Sequence, residues 1–127
     1  MHDANYDARY PELGLDFGAI LLTRVVSRPS VERITLDLGY KAVSPDSPLA
    51  QRCRLLDIPD AEFVLHSEEH LTLRTESAAR FRPGDVVYAI PAHVCPTVAL
   101  HKAAWVVEGG AVVDRWEIAA RDRDITV

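Results

Sequence analysis

Arg33-Ile34-Thr35-Leu36-Asp37-Leu38 alternates apolar with polar residues, the period of a strand with one buried and one wetted face. Gly39 ends it. The same kind of pattern recurs on both sides. Upstream, Ala19-Ile20-Leu21-Leu22-Thr23-Arg24-Val25-Val26 is rich in β-branched residues and is expected to stop at Ser27-Arg28-Pro29, because proline cannot donate to a ladder. Downstream, residues 62–66 and 71–74 flank Ser67-Glu68-Glu69-His70 and predict a hairpin. After the turn signal Pro83-Gly84, Asp85-Val86-Val87-Tyr88-Ala89-Ile90 predicts a further strand closed by Pro91, and Val98-Ala99-Leu100 a short one. Trp105-Val106-Val107 and residues 111–116 are joined through Glu108-Gly109-Gly110; a glycine pair between β-rich runs favours a tight hairpin turn. Helical signals are poor: only Asp60-Ala61-Glu62 and Pro48-Leu49-Ala50-Gln51-Arg52 could hold a turn. About seven or eight short strands predict an all-β domain, a small antiparallel barrel or sandwich. Residues 1–17 read as a connector and residues 18–127 as the β-domain.

With 127 residues, 48% of them hydrophobic and 26% charged, the chain suits one domain with a real core. A net charge of −5 argues against a nucleic-acid or anionic-membrane partner. The basic stretches Arg52-Cys53-Arg54 and Arg80-Phe81-Arg82 read as solvated loops. The two cysteines, Cys53 and Cys95, are too few for a disulfide framework. No apolar run approaches the roughly 20 residues that span a bilayer, and the N-terminus is polar, so a cytoplasmic, reduced protein is expected.

The stretch richest in chemistry is Pro91-Ala92-His93-Val94-Cys95-Pro96-Thr97. On an extended chain His93 and Cys95, two positions apart, project to the same face. Imidazole and thiolate both suit zinc, and the flanking prolines stiffen the backbone. Two ligands do not make a zinc site, and a reduced buried cysteine beside a satisfied histidine is the commoner explanation of the bare pattern. Other polar groups read more plainly: His70 as a hairpin tip, Lys41 as surface charge, His66 and His101 as packing or surface residues, His2 as part of a mobile terminus, and Cys53 as structural or without a role. No phosphate-cradling glycine loop, Gly-x-Ser-x-Gly elbow or Cys-x-x-Cys is present.

Taken together, four segments occur in an informative order: residues 22–29, then Asp37-Leu38-Gly39-Tyr40-Lys41-Ala42-Val43-Ser44-Pro45-Asp46, then Ser67-Glu68-Glu69-His70, then Ile90-Pro91-Ala92-His93-Val94-Cys95-Pro96-Thr97-Val98. This order resembles the C-terminal domain of the D-serine dehydratase / D-threonine aldolase family, over residues 6–120. The resemblance implies lyases in which an N-terminal alanine-racemase-like barrel holds pyridoxal phosphate, while the C-terminal β-domain gives a His and a Cys or Asp to a divalent metal. His93 and Cys95 match those two positions. Cysteine at the second is similar to the zinc-using dehydratase type. Lys41, Ser44, Asp46, Glu69 and His70 match other family motifs and are expected near the metal or orienting its ligands.

The implied substrate is a D-3-hydroxy amino acid, cleaved by elimination or retro-aldol chemistry. The chain shows no barrel and no phosphate-binding loop, so alone it is expected to be inactive and to need a pyridoxal-phosphate barrel as a domain or subunit. The competing expectation is a stand-alone β-barrel module that binds metal or ligand, or mediates assembly, without catalysis. A face that once met a barrel would be exposed, so self-association is also expected.

Overall fold

Alternation becomes burial in the computed structural model, which describes residues 2–122. β2 (Arg33–Leu36) buries Ile34 and Leu36, and its neighbour β5 (Leu71–Arg74) buries Leu71 and Leu73. β1 (Leu21–Ser30) adds Thr23 and Val25 to the same face, β3 (Cys53–Leu55) adds Cys53 and Leu55, and β6 (Val86–Pro91) adds Val87 and Ala89. With β4 (Glu62–His66) these form a six-stranded sheet in the order β3-β6-β1-β2-β5-β4, antiparallel at every pair. A separate ribbon holds β7 (Ala103–Glu108) and β8 (Ala111–Glu117). Eight strands among the described residues, with the large sheet curled into a half-barrel, match the expected all-β class. Phe81, Ile58, Leu38 and Val43 close the concave side. Each large aliphatic residue buried there stabilises the fold by about 1.5–3 kcal/mol.

Both expected hairpins form. β4 and β5 flank residues 67–70. β7 and β8 join through Gly109 and Gly110, with φ of 58° and 82°, the positive pair a twisted two-residue turn requires.

Several local expectations fail for identifiable reasons. β1 runs through Pro29 to Ser30. β6 pairs only with Leu21, Leu22, Thr23 and Arg24, so beyond them β1 has a partner on one side and proline's missing N–H costs no ladder bond. Asp37 and Leu38 leave the ladder because the Asp37 carboxylate accepts from Thr23 Oγ1 and the Arg24 N–H, both at 2.6 Å. Residues 98–100 are not a strand: Ala99 and Leu100 form a turn, and Val98 ends α2 (Val94–Val98). Pro96 is tolerated there because the first turn of a helix leaves its N–H groups unpaired anyway. Leu49–Gln51 makes the expected turn, a 3-10 one, whereas Asp60 and Ala61 form no helix and β4 starts at Glu62. The connector contains a helix, α1 (Ala4–Arg9), capped by Asp3. His2 is not in a mobile end but buried, with its ring 5.1 Å from that of Phe17. Nor are the two basic stretches plain solvated loops: Cys53 and Phe81 are both buried.

The two edges of the sheet, β3 and β4, are tied together from one short segment. The turn Leu49–Gln51 packs on β4 and leads directly into β3. Between them, Arg52 Nη1 donates to His66 Nδ1 at 2.7 Å. The loop after β2 then crosses the end of the β4–β5 hairpin, with Tyr40 N donating to Ser67 O at 2.9 Å and Lys41 N to Glu68 O at 3.1 Å. Gly39 is what permits the approach, since a Cβ there would lie 2.0 Å from Glu68 O and 2.4 Å from Glu69 Cα. All these atoms are backbone, so relief requires moving a loop. Gly39→Ala is expected to cost about 3 kcal/mol or more, read as a drop in the urea midpoint; a loss under about 0.5 kcal/mol would show that the approach is not rigid.

Candidate metal-binding edge

His93 and Cys95 lie where β6 hands over to α2. His93 is the extended N-cap, with φ −131° and ψ 104°, and Cys95 belongs to the first turn. The common-face argument for an extended segment therefore does not describe this pair, because the chain turns helical between them. Both side chains are nevertheless exposed.

What the backbone does not fix, a hydrogen-bond circuit does. His93 Nδ1 meets Asp46 Oδ2 in a short contact. Asp46 Oδ1 accepts from Ser44 Oγ at 2.7 Å. The Ser44 N–H donates to Thr97 Oγ1 at 3.2 Å, and Thr97 Oγ1 donates to the His93 carbonyl at 2.8 Å. The circuit thus leaves and re-enters His93. Ser44 and Thr97 are buried, Asp46 and His93 half-exposed. The hydrogen bond from His93, with a further one from Ser44, holds the Asp46 carboxyl below its usual range. Held this way, His93 keeps Nε2 as its free ring nitrogen, and a carboxylate on the opposite nitrogen is the arrangement that orients histidine ligands of metals.

Three further contacts anchor the segment. Asp3 Oδ2 accepts from the Val94 N–H at 3.0 Å while Asp3 Oδ1 caps α1. Asn5 N donates to Ala92 O at 3.2 Å, and His101 Nε2 bonds Ala42 O at 2.8 Å.

Of the residues expected around the metal, Asp46 and Ser44 are joined to His93. Lys41 and Glu69 are not: Lys41 Nζ sits between Glu68 Oε2 at 2.9 Å and Glu69 Oε1 at 2.8 Å, in solvent. Those carboxylates raise the Lys41 pKa. His70 is exposed at the hairpin tip. Thr97 and Asp3 were not foreseen. Thr97 stands in the quoted motif, but a buried threonine bonding two backbone groups leaves no periodic trace, and Asp3 acts across 91 residues of chain. Cys53 is the buried cysteine, and burial pushes its thiol up to about 12, which leaves Cys95 as the exposed thiol. No cluster of three or more metal-ligating side chains occurs among the described residues. The donor set fits an open half-site: one imidazole and one thiol on an exposed edge.

Residues 19–107 match the family model described as "Putative serine dehydratase domain". The chain belongs to that family. A D-threonine aldolase of an Arthrobacter species is 33% identical over 111 residues, covering 86% of this chain but 28% of that one. The crystal structure of D-threonine aldolase from Filomicrobium marinum superposes with a TM-score of 0.82 at 28% identity, over 95% of this chain and 33% of that one. This serine dehydratase-type domain thus spans about a third of such enzymes. An uncharacterized protein of Mycobacterium tuberculosis, 34% identical over 116 residues, is covered over 87% of its own length. D-threo-3-hydroxyaspartate dehydratase from Delftia, at 21% identity and TM-score 0.65, shares the fold. The domain is therefore one carried by D-amino-acid lyases and aldolases, and also one that occurs in proteins of little more than its own length. No described helix is long and apolar enough to cross a membrane.

His66 holds the loop that carries the site. Its Nδ1 accepts from Arg52, so Nε2 carries the proton and donates to Leu38 O at 2.9 Å. Burial, and secondarily the Arg52 charge, lowers its pKa. A lowered folded value means that the unfolded chain binds more protons as pH falls through about 6.5. The stability His66 contributes is therefore complete above that pH and declines below it. The melting temperature should fall more between pH 8 and pH 5.5 for the wild type than for His66→Gln; parallel falls would remove His66 as the cause.

Proposed function

We propose that this chain is the metal-binding β-domain of a D-amino-acid lyase, completed by a barrel domain or subunit carrying pyridoxal phosphate. The observation that carries the reading is the Asp46–His93 pair, two positions along the chain from the exposed thiol of Cys95. Asp46 fixes the ring and its tautomer, and Nε2 and Sγ are left as the two outward donors. Thiolate among the ligands favours zinc over harder cations. Solved forms of the dehydratase include a histidine-to-alanine variant and a metal-free cysteine-to-alanine variant, altered two residues apart; the same spacing separates His93 from Cys95.

A zinc ion held there would supply a Lewis acid for a substrate β-hydroxyl, while the cofactor on the barrel would accept the electron pair released at Cα. The chain's own residues have narrower duties. His93 and Cys95 would bind; Asp46 accepts from Nδ1 and leaves Nε2 as the ligating nitrogen; Ser44 and Thr97 hold Asp46 at its distance. Two protein donors leave coordination positions open to the barrel partner and a D-3-hydroxy amino acid. Because this reading places the cofactor and its phosphate cradle on the barrel, the domain alone is expected to be inactive.

A second reading is favoured by the mycobacterial relative of nearly the same length: a stand-alone β-module that binds metal without catalysis. Mixing the chain with a family barrel domain and assaying D-serine and D-threonine separates the two. Association with turnover supports the lyase reading; neither one supports the module. Metal binding is tested first by zinc titration. The wild type should bind one equivalent, Asp46→Ala should bind about 10–100-fold more weakly, and Cys95→Ala should lose the site. Equal zinc content in wild type and Cys95→Ala would remove the chemical centre of the proposal.

A further inference from the structure

The β7–β8 ribbon stands apart from the rest of the protein. Every residue of β8 is exposed, and neither strand pairs with the six-stranded sheet. Trp105 is 68% exposed, Val107 59%, Val112 63% and Trp116 61%. The pairing Trp105↔Arg115 and Val107↔Val112 sets Trp105, Val107 and Val112 on one face, with the Arg115 guanidinium 5.6 Å from the Trp105 ring. That face presents on the order of 350 Å² of apolar side chain. A lone two-stranded ribbon is marginal in water, and an apolar face of this size, within the range monomers carry, is often a functional one.

The two edges of the ribbon differ. β8 carries Asp114, Arg115 and Glu117, charges that discourage a further strand. The outer edge of β7 reads Ala103-Ala104-Trp105-Val106-Val107, with no charge and no proline. Its backbone groups find no partner beyond β8 among the described residues. At its two ends stand Lys102 and Glu108, both exposed and in no ion pair among the described residues.

We infer that β7 pairs antiparallel with β7 of a second copy of this chain, across a two-fold axis at Trp105. A two-fold antiparallel pair sets residues opposite whose numbers sum to twice that of the central one. Centred on Trp105, Ala104 meets the second copy's Val106, Ala103 meets its Val107, and Lys102 meets its Glu108. The symmetry repeats each pair. The charges at the two ends are therefore complementary in this register, while every position between them is apolar. A register centred on Val106 would oppose Glu108 to Ala104 and leave Lys102 unmatched. The four-stranded sheet β8-β7-β7-β8 so formed passes the size at which a ribbon is stable, and the two Trp105 side chains, opposite each other on one face, bury part of their apolar surface against one another. A pairing of two such short strands is smaller than a standard specific interface, about 800 Å² per partner, so weak dissociation, on the order of tens of micromolar, is expected.

Sedimentation velocity on the full chain, from low to several hundred micromolar, tests this. The wild type should pass from monomer to dimer. Lys102→Glu and Glu108→Lys should each raise the dissociation constant about tenfold, by opposing like charges, and the double variant should recover. Trp105→Cys, made with Cys95→Ser, should form a disulfide-linked dimer on mild oxidation, because the central residue faces its own copy at about 5 Å between Cβ atoms. Thermal melts confirm that each variant is folded. A wild type that stays monomeric throughout overturns the inference, as does a dimer indifferent to both single reversals, or a folded double variant that remains monomeric. Should the wild type be monomeric while these variants weaken binding of a barrel-bearing chain, the ribbon's occupant is that chain and not a second copy.

Discussion

The close approach of the Gly39 loop to the β4–β5 hairpin is the constraint on which the rest of the structure depends. It is a contact between backbones, so no side-chain rearrangement relaxes it. Around it stand His66, bonded at once to Arg52 and Leu38 O, and Tyr40, whose ring meets that of His66 edge-on at 6.0 Å. These contacts join the β3 edge, the β4 edge and the loop leaving β2. An open six-stranded sheet is thereby held curled without closing into a continuous barrel, and its concave side takes the large aliphatic residues.

The same closure aims the site. Residues 39–46 leave the Gly39 contact and end at Asp46, which reaches across to His93. Val43 is buried in the core, Ala42 O accepts from His101, and the Ser44 N–H reaches Thr97. The loop has little freedom left by the time it presents its carboxylate. On the other side Asp3 and Asn5 hold residues 92–94. An exposed histidine would ordinarily sample several rotamers; here its backbone, its carbonyl and one ring nitrogen are each fixed by a different element.

The fold was legible wherever period-2 patterning met a turn signal. Ile34 and Leu36, Leu71 and Leu73, and the Gly109-Gly110 turn all fell where the alternation placed them. It failed where tertiary pairing decided the matter. Pro29 remains in a strand because a neighbour stops short, and residues 94–98 are helical although rich in β-branched residues, since Asp3 accepts from the Val94 N–H and the Thr97 hydroxyl donates to the His93 carbonyl. The site was half legible. His93, Cys95 and Asp46 stand in short motifs, but only the fold shows that Asp46 touches His93 while Lys41 and Glu69 satisfy each other in solvent. Thr97 and Asp3 act through backbone groups far off in sequence, which composition and spacing do not record.

The proposed metal-binding edge and the ribbon are two versions of the same incompleteness. An imidazole and a thiol on an exposed turn are too few donors to saturate a metal, and a two-stranded ribbon with tryptophans in water is too little sheet to stand alone. α2 joins them directly, since β7 begins five residues after the helix ends. His101, between the two, is pinned to the Ala42 carbonyl of the loop that carries Asp46. A partner that orders the ribbon therefore acts on a segment already tied to that loop, through a part-buried imidazole bonded to a backbone carbonyl. In the aldolase relatives such a domain belongs to a longer chain, of which it makes up about a third.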